Sequence, residues 1–155
     1  QNPNKIIILD IKTSMKHTRN LLLYELWTSI IISAIIILLY ETDIINSGTI
    51  VAKSNTEFVC VTTMEILTIC LLPLSLRMFK INNIQKRLKE GGVHALAKWG
   101  SIRMLMICIP LIANTLMYFM SMNVSFGYMA IIFFICLLFV YPNMGRCVAE
   151  IGGEA

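Results

Sequence analysis

Three ionisable side chains, Glu25, Glu65 and Arg103, lie inside long apolar stretches of the sequence. Such a group in a membrane-spanning helix costs about 2.5 to 3.5 kcal/mol, so it usually faces other helices and has a partner. Two interpretations of Glu65 stay open. It is either a structural group that hydrogen-bonds to Asn114, or a proton or cation site within the membrane.

Helical spacing predicts which polar side chains meet. Thr62 and Glu65 are three residues apart and therefore share a helix face. At 1.5 Å per residue, Ser33, Glu65 and Asn114 each lie roughly 10 to 12 Å from one end of their apolar segments. We therefore predict an intramembrane polar layer of Ser33, Thr62, Glu65 and Asn114.

A second polar contact is predicted near the opposite membrane boundary. Glu25 and Arg103 lie at similar depth there and carry opposite charges, so we expect an ion pair.

Pro73 and Pro110 fall within apolar segments. Each removes one backbone hydrogen bond, which predicts a helix kink that neighbouring helices can accommodate.

The sequence lacks the patterns of common catalytic and metal centres. The two histidines, His17 and His94, lie outside the apolar segments, and no Walker loop, nucleophile elbow or H-E-x-x-H helix occurs. We therefore expect no catalytic residue, no metal site and no cofactor, and we favour a non-enzymatic role. No C-x-x-C pair occurs among the five cysteines, which are Cys60, Cys70, Cys108, Cys136 and Cys147.

The composition explains why these polar groups would sit in hydrocarbon. Of 155 residues, 57% are hydrophobic and 14% are charged, whereas soluble domains have about 45 to 50% and 25%. A bilayer core about 30 Å thick needs on the order of 20 apolar residues per helix. We predict one all-α domain, a polytopic four-transmembrane-helix bundle. Its spans are residues 21–40, 58–78, 101–122 and 124–141.

Charge predicts the orientation of this bundle. Twelve of the 13 Lys and Arg residues fall in the N-terminal arm 1–20, the stretch 77–103 and the tail 142–155, and the exception is Lys53. The positive-inside rule then places both termini in the cytoplasm, together with a basic helical hairpin at 79–100. The predicted location is a bacterial inner membrane, crossed several times.

Anionic lipid head groups are the partner that this basic face predicts, and nucleic acid is not required. The predicted head-group contacts are Lys12, Lys16, Arg19, Lys86, Arg87 and Lys89. The arm itself has two alternatives, an interfacial helix or an extension of the first span. Because that span is too long for a signal-peptide core and no A-x-A site follows it, we expect it to be retained.

One pattern in the second half of the chain consists of Lys98-Trp99, Arg103, Pro110, Asn114, Tyr118 and the run Leu138-Phe139-Val140-Tyr141-Pro142. This pattern, which covers about a third of the chain, resembles small uncharacterised four-helix bacterial membrane proteins. The resemblance implies no activity.

Three functions remain compatible with the sequence. The leading hypothesis is a protein that acts through helix packing, with itself as a homo-oligomer or with a membrane-protein partner. The first alternative is a proton- or cation-linked transporter or channel, formed by a parallel oligomer around Glu65. The second is a lipid-handling protein that uses Glu25 and Arg103.

Overall fold

Four α-helices and one short 3-10 turn form the described part of the chain, which contains no strand. The computed structural model describes residues 2–48, 54–143 and 145, without the side chains of residues 54 and 79. Lys53, Arg146, Cys147 and most of the predicted tail 142–155 lie outside the described residues. The all-α class follows directly from this architecture.

Helix α1 spans Pro3–Glu41 without a break, and Pro3 starts it where a missing backbone N–H is harmless. Its 39 residues extend roughly 58 Å, about twice the hydrocarbon thickness of a bilayer. The N-terminal arm and the first predicted span are therefore one helix. Of the two alternatives for the N-terminal arm, the structure shows the second, a helix that extends the first span.

Helix α2 spans Ser54–Arg77 and leads through a 3-10 turn, Met78–Lys80, into α3, which spans Asn82–Ser121. The backbone of α3 leaves helical geometry at Gly92, with φ 57° and ψ −132°. Glycine adopts such angles without the Cβ clash of other residues. Residues before Gly92 thus form a separate short arm, in the region of the predicted hairpin. Pro73 and Pro110 lie inside α2 and α3, and their kinks stay predictions.

Helix α4 spans Val124–Phe139, and the Asn123 side chain caps it by accepting a hydrogen bond from the Ser125 N–H at 3.0 Å. Among the described residues, α1, α2 and α3 are long and apolar enough to cross a membrane, while α4 is a shorter apolar helix of 16 residues. This composition is that of a membrane protein.

Helix α3 is the centre of the bundle, because α1 and α4 both pack along it while α2 packs more loosely against α3 and α4. Helices α1 and α3 run in the same direction: Leu22 lies beside Gly100 near one end, and the rings of Tyr40 and Phe119 stack near the other, with centroids 4.8 Å apart. The main buried core joins α1, α3 and α4. It comprises Leu22, Leu26, Met104, Ile107, Cys108, Leu111, Phe133, Leu137 and Val140.

A second, smaller core joins the N-terminal arm to the short arm of α3. Met15 of α1 is buried with Leu88 and Leu96, and Trp99 packs against them. Because Leu88 and Leu96 lie on opposite sides of the Gly92 break, this contact fixes the angle between the two parts of α3. The basic residues of both arms are thereby held at one end of the bundle.

Candidate functional site

Glu65 lies on the exposed side of α2 and lines a groove between α2 and α4. The groove has a volume of about 310 Å³. Three hydroxyl-bearing side chains, Thr68 of α2 and Ser125 and Tyr128 of α4, line it with the carboxylate. We call this cluster the Glu65 groove. Here an exposed ionisable group of an apolar helix has several polar neighbours.

Thr68 forms the buried wall of the Glu65 groove. Its hydroxyl donates to the carbonyl oxygen of Met64 at 2.7 Å and lies 3.5 Å from the sulfur of Met129. Bonding to a carbonyl within the helix satisfies a hydroxyl in apolar surroundings. The contact with Met129 also joins α2 to α4, which run in the same direction.

Asn123 lies at the start of α4, two residues before Ser125 of the Glu65 groove. Its side-chain Nδ2 donates to Oε1 of Glu57 at 2.7 Å, while its Oδ1 caps α4 through the Ser125 N–H. A hydrogen bond to an ionised group is stronger than one between neutral groups. The start of α4 is therefore fastened to the start of α2.

The predicted polar layer is distributed over the bundle. Asn114 is completely buried, and both polar atoms of its side chain lack hydrogen-bond partners among the described residues. Ser33 is buried on α1, where it lines a cavity with α3 and α4, and Thr62 is half-buried on α2. The four side chains share no hydrogen bond within the described chain, so a connected polar layer stays a prediction.

Glu25 and Arg103 have different surroundings. Oε1 of Glu25 accepts a hydrogen bond from the Ser101 hydroxyl at 2.8 Å. This contact joins α1 to α3 two residues before Arg103. Arg103 is buried, with 4% of its surface exposed. The ion pair stays a prediction.

The basic residues lie on the two arms that the second core joins. Lys12 and Lys16 are exposed on α1, and Arg19 is half-buried with its guanidinium 3.4 Å from Oδ1 of Asn20. Lys86, Arg87 and Lys89 are exposed on the short arm of α3. Their contact with head groups stays a prediction.

Sequence reasoning singled out Glu65 but did not include Thr68, Ser125, Tyr128, Glu57 or Asn123. Thr68 could have been predicted, because it follows Glu65 by three residues and therefore lies on the same helix face. The N-cap of α4, Asn123, was also predictable, since Asn directly before an apolar run is a common helix start. The pairing of α2 with α4 depends on tertiary packing, which one sequence does not contain.

No metal cluster of three or more His, Cys, Asp or Glu side chains occurs in the described ranges. Comparison with protein-family models, curated proteins and solved structures gives no match to this chain. The candidate site is therefore supported by the chemistry of its own residues alone. That chemistry is an exposed carboxylate with hydroxyl neighbours on an apolar helix.

Proposed function

We propose that this protein is a non-enzymatic membrane subunit, which acts by packing the exposed face of α2 against another membrane helix. One observation carries the proposal. Glu65 is exposed twelve residues into α2, a helix of 24 residues. A carboxylate facing hydrocarbon costs several kcal/mol unless a neighbour covers it.

The surroundings of Glu65 support a protein neighbour. Ile66 and Ile69 are 58% and 71% exposed, and Cys70 is also exposed, so the carboxylate lies on a largely apolar surface. Within membranes, helix association depends on packing and on hydrogen bonds between helices. A partner helix with one hydrogen-bond donor at this depth would satisfy both requirements.

We propose four spans, with both termini in the cytoplasm of a bacterial cell and the bundle in its inner membrane. The distribution of Lys and Arg supports this orientation. Helix α4 is roughly 24 Å long, and its flanking residues would complete the crossing. Asn123 supports this arrangement by fastening the start of α4 to Glu57 at the start of α2.

The test is the assembly state of the protein in mild detergent and in lipid nanodiscs, measured by native mass spectrometry. We expect the wild type to carry a second copy or another membrane protein. Glu65→Leu should weaken that association by about 3- to 20-fold, because interhelical hydrogen bonds in membranes contribute about 0.6 to 1.7 kcal/mol. Glu65→Gln, which keeps a hydrogen-bonding group, should weaken it less.

Thr63→Val is the matched control. Thr63 is also exposed on α2, but its hydroxyl donates to the Val59 carbonyl oxygen at 2.7 Å, so no partner is needed to satisfy it. Association should therefore be unchanged in this variant. A monomeric wild type without any protein partner, or a Glu65→Leu variant that associates as well as the wild type, contradicts the proposal.

A second candidate is a proton- or cation-linked transporter or channel, formed by a parallel oligomer around Glu65. The hydroxyl groups of Thr68, Ser125 and Tyr128 around the carboxylate favour it, since such oxygens are hydrogen-bond partners or ligands for a small cation. Proteoliposomes with an internal pH dye and an imposed cation gradient test it. Flux that Glu65→Gln abolishes supports transport, whereas equal flux in both proteins excludes it.

A further inference from the structure

Helices α1 and α4 leave a groove between them, with α3 as its floor. One part has a volume of about 390 Å³ and the other about 310 Å³. Four residues line both parts: Ile37, Thr115, Ala130 and Ile131. The two cavities are therefore one continuous space, which we call the α1–α4 groove. It lies on a different side of α4 from Thr68 and Met129, the buried wall of the Glu65 groove.

The length of the α1–α4 groove identifies what fits it. Along α1 it reaches from Ile30 to Glu41, which is roughly 16 Å at 1.5 Å per residue. This is about half of a 30 Å hydrocarbon core. A transmembrane helix would need a groove through the full thickness, whereas a lipid chain occupies one leaflet.

The packing of the bundle explains why the groove stops halfway. Towards the N-terminal end of α1, Leu26 and Leu137 are both buried in the main core, with Ile107 of α3. Further along, Ala34 and Ala130 line the space, and their small side chains do not fill it. The α1 and α4 walls therefore meet through the core at one end of the groove and stand apart at the other.

The walls and the mouth of the groove differ in polarity, as the parts of a lipid do. The Thr115 hydroxyl donates to the Leu111 carbonyl oxygen at 2.8 Å. The deeper walls are mostly apolar, with Ile30 and Phe134 beside the hydroxyl of Ser33. At the mouth, Glu41 and Tyr128 are exposed and line the part with the larger volume. Empty space against such walls would lose dispersion contacts, so a hydrocarbon chain stabilises them.

We propose that the α1–α4 groove binds one hydrocarbon chain of a membrane lipid whose head group lies at Glu41 and Tyr128. The carboxylate of Glu41 favours a head group with an ammonium, such as ethanolamine, over a purely anionic one. The hydroxyl of Tyr128 supplies a donor for the phosphate or ester oxygens. Tyr128 also lines the Glu65 groove, but Glu65 itself does not line the α1–α4 groove.

The experiment measures retained lipid by native mass spectrometry, after purification from nanodiscs containing equal phosphatidylethanolamine, phosphatidylcholine and phosphatidylglycerol. The wild type should retain one lipid, with phosphatidylethanolamine enriched over phosphatidylglycerol. Glu41→Gln should reduce that enrichment by up to about fivefold, since an exposed ion pair contributes about 1 kcal/mol or less. The total lipid retained should change little.

Two substitutions fill the groove from exposed positions of α1 and so leave the core intact. Ala34→Phe and Ile37→Trp should each abolish lipid retention, while both proteins keep the helical circular dichroism of the wild type. Ile35→Phe is the control, because Ile35 is 52% exposed and lies next to Ala34 on α1. It should retain lipid as the wild type does.

Three results would overturn this inference. A wild type that retains no lipid removes the site, and so do filling variants that retain as much lipid as the wild type. A second protein chain that Ala34→Phe releases would show that a helix, not a lipid chain, occupies the groove. The first two results do not bear on the association through Glu65, which Glu65→Leu tests separately.

Discussion

The Asn123 side chain donates from Nδ2 to Oε1 of Glu57 at 2.7 Å and accepts from the Ser125 N–H at 3.0 Å. One amide thus caps α4 and ties it to α2. Each use requires a different atom of the side chain. The donor and the acceptor can therefore be removed separately.

Asn123→Asp should destabilise the protein, although aspartate is as good a helix cap as asparagine. The substitution keeps the acceptor for Ser125 but sets a second carboxylate against Glu57. We expect the free energy of unfolding to fall by about 1.5 to 3 kcal/mol, the range for hydrogen bonds to charged groups. Denaturation in mixed detergent micelles, followed by circular dichroism, measures it.

The reciprocal exchange is the control for this prediction. In the double variant Glu57→Gln with Asn123→Asp, the amide of residue 57 donates to the carboxylate of residue 123, so the bond forms in the opposite direction. Most of the lost stability should return. A double variant no more stable than Asn123→Asp would show that the hydrogen bond between residues 57 and 123 contributes nothing to stability.

Ser101→Ala should weaken the contact between α1 and α3. It removes the donor to Oε1 of Glu25, whose Oε2 is already buried without a hydrogen bond in the described chain. A buried polar group left unsatisfied costs about 1 to 3 kcal/mol. Unfolding in mixed micelles should show a loss of that size. Ser101→Thr keeps the hydroxyl and should lose less than half as much, and equal losses would count against the hydrogen bond.

Gly92→Ala should destabilise the junction between the two arms of α3. A Cβ at Gly92 would meet no atom within 4 Å, so the substitution tests the backbone alone. Angles of φ 57° and ψ −132° are strained for alanine by about 1 to 3 kcal/mol. Limited proteolysis should cut the segment between Asn82 and Gly92 faster in the variant than in the wild type.

Gly100→Ala provides the contrast. This glycine has ordinary helical angles, but its Cβ would lie 3.1 Å from a methyl group of Leu22. The helix propensity of alanine, worth about 1 kcal/mol over glycine, would offset the shift that Leu22 must make. Proteolysis near Gly92 should not change. Faster cleavage in both variants would mean that packing rather than backbone angle controls the junction.

The apolar segments were predictable because each is a long, uninterrupted run whose composition fixes its environment. The positions of Glu25, Glu65 and Asn114 inside these runs were equally plain. Their partners were not, since a sequence gives depth along a helix but not which helices are neighbours. Glu25, for example, accepts a hydrogen bond from Ser101 of α3, a contact that the sequence did not indicate.

The same reasoning explains the arm and the grooves. Residues 1–20 mix apolar and basic side chains, and a surface helix and an extended span have the same local pattern. The extended helix is stabilised by the second core, in which Met15 contacts Leu88 and Leu96. The α1–α4 groove could not be predicted from the sequence for another reason. It is defined by the space that Ala34 and Ala130 do not fill, and only the packed helices reveal that space.

The proposed orientation predicts opposite labelling of the two ends of the bundle. Asp43 follows the C-terminal end of α1, whereas Lys89 lies on the short arm of α3, and both are exposed. In a Cys60→Ser, Cys147→Ser background, Asp43→Cys should react with a membrane-impermeant maleimide added to intact cells. Lys89→Cys should react only after the membrane is permeabilised, because basic segments stay on the cytoplasmic side. Labelling of Lys89→Cys alone in intact cells would invert the proposed topology, and labelling of both positions would indicate two orientations. Inversion would move the mouth of the α1–α4 groove to the cytoplasmic leaflet but leave its walls, and hence its affinity for a lipid chain, unchanged.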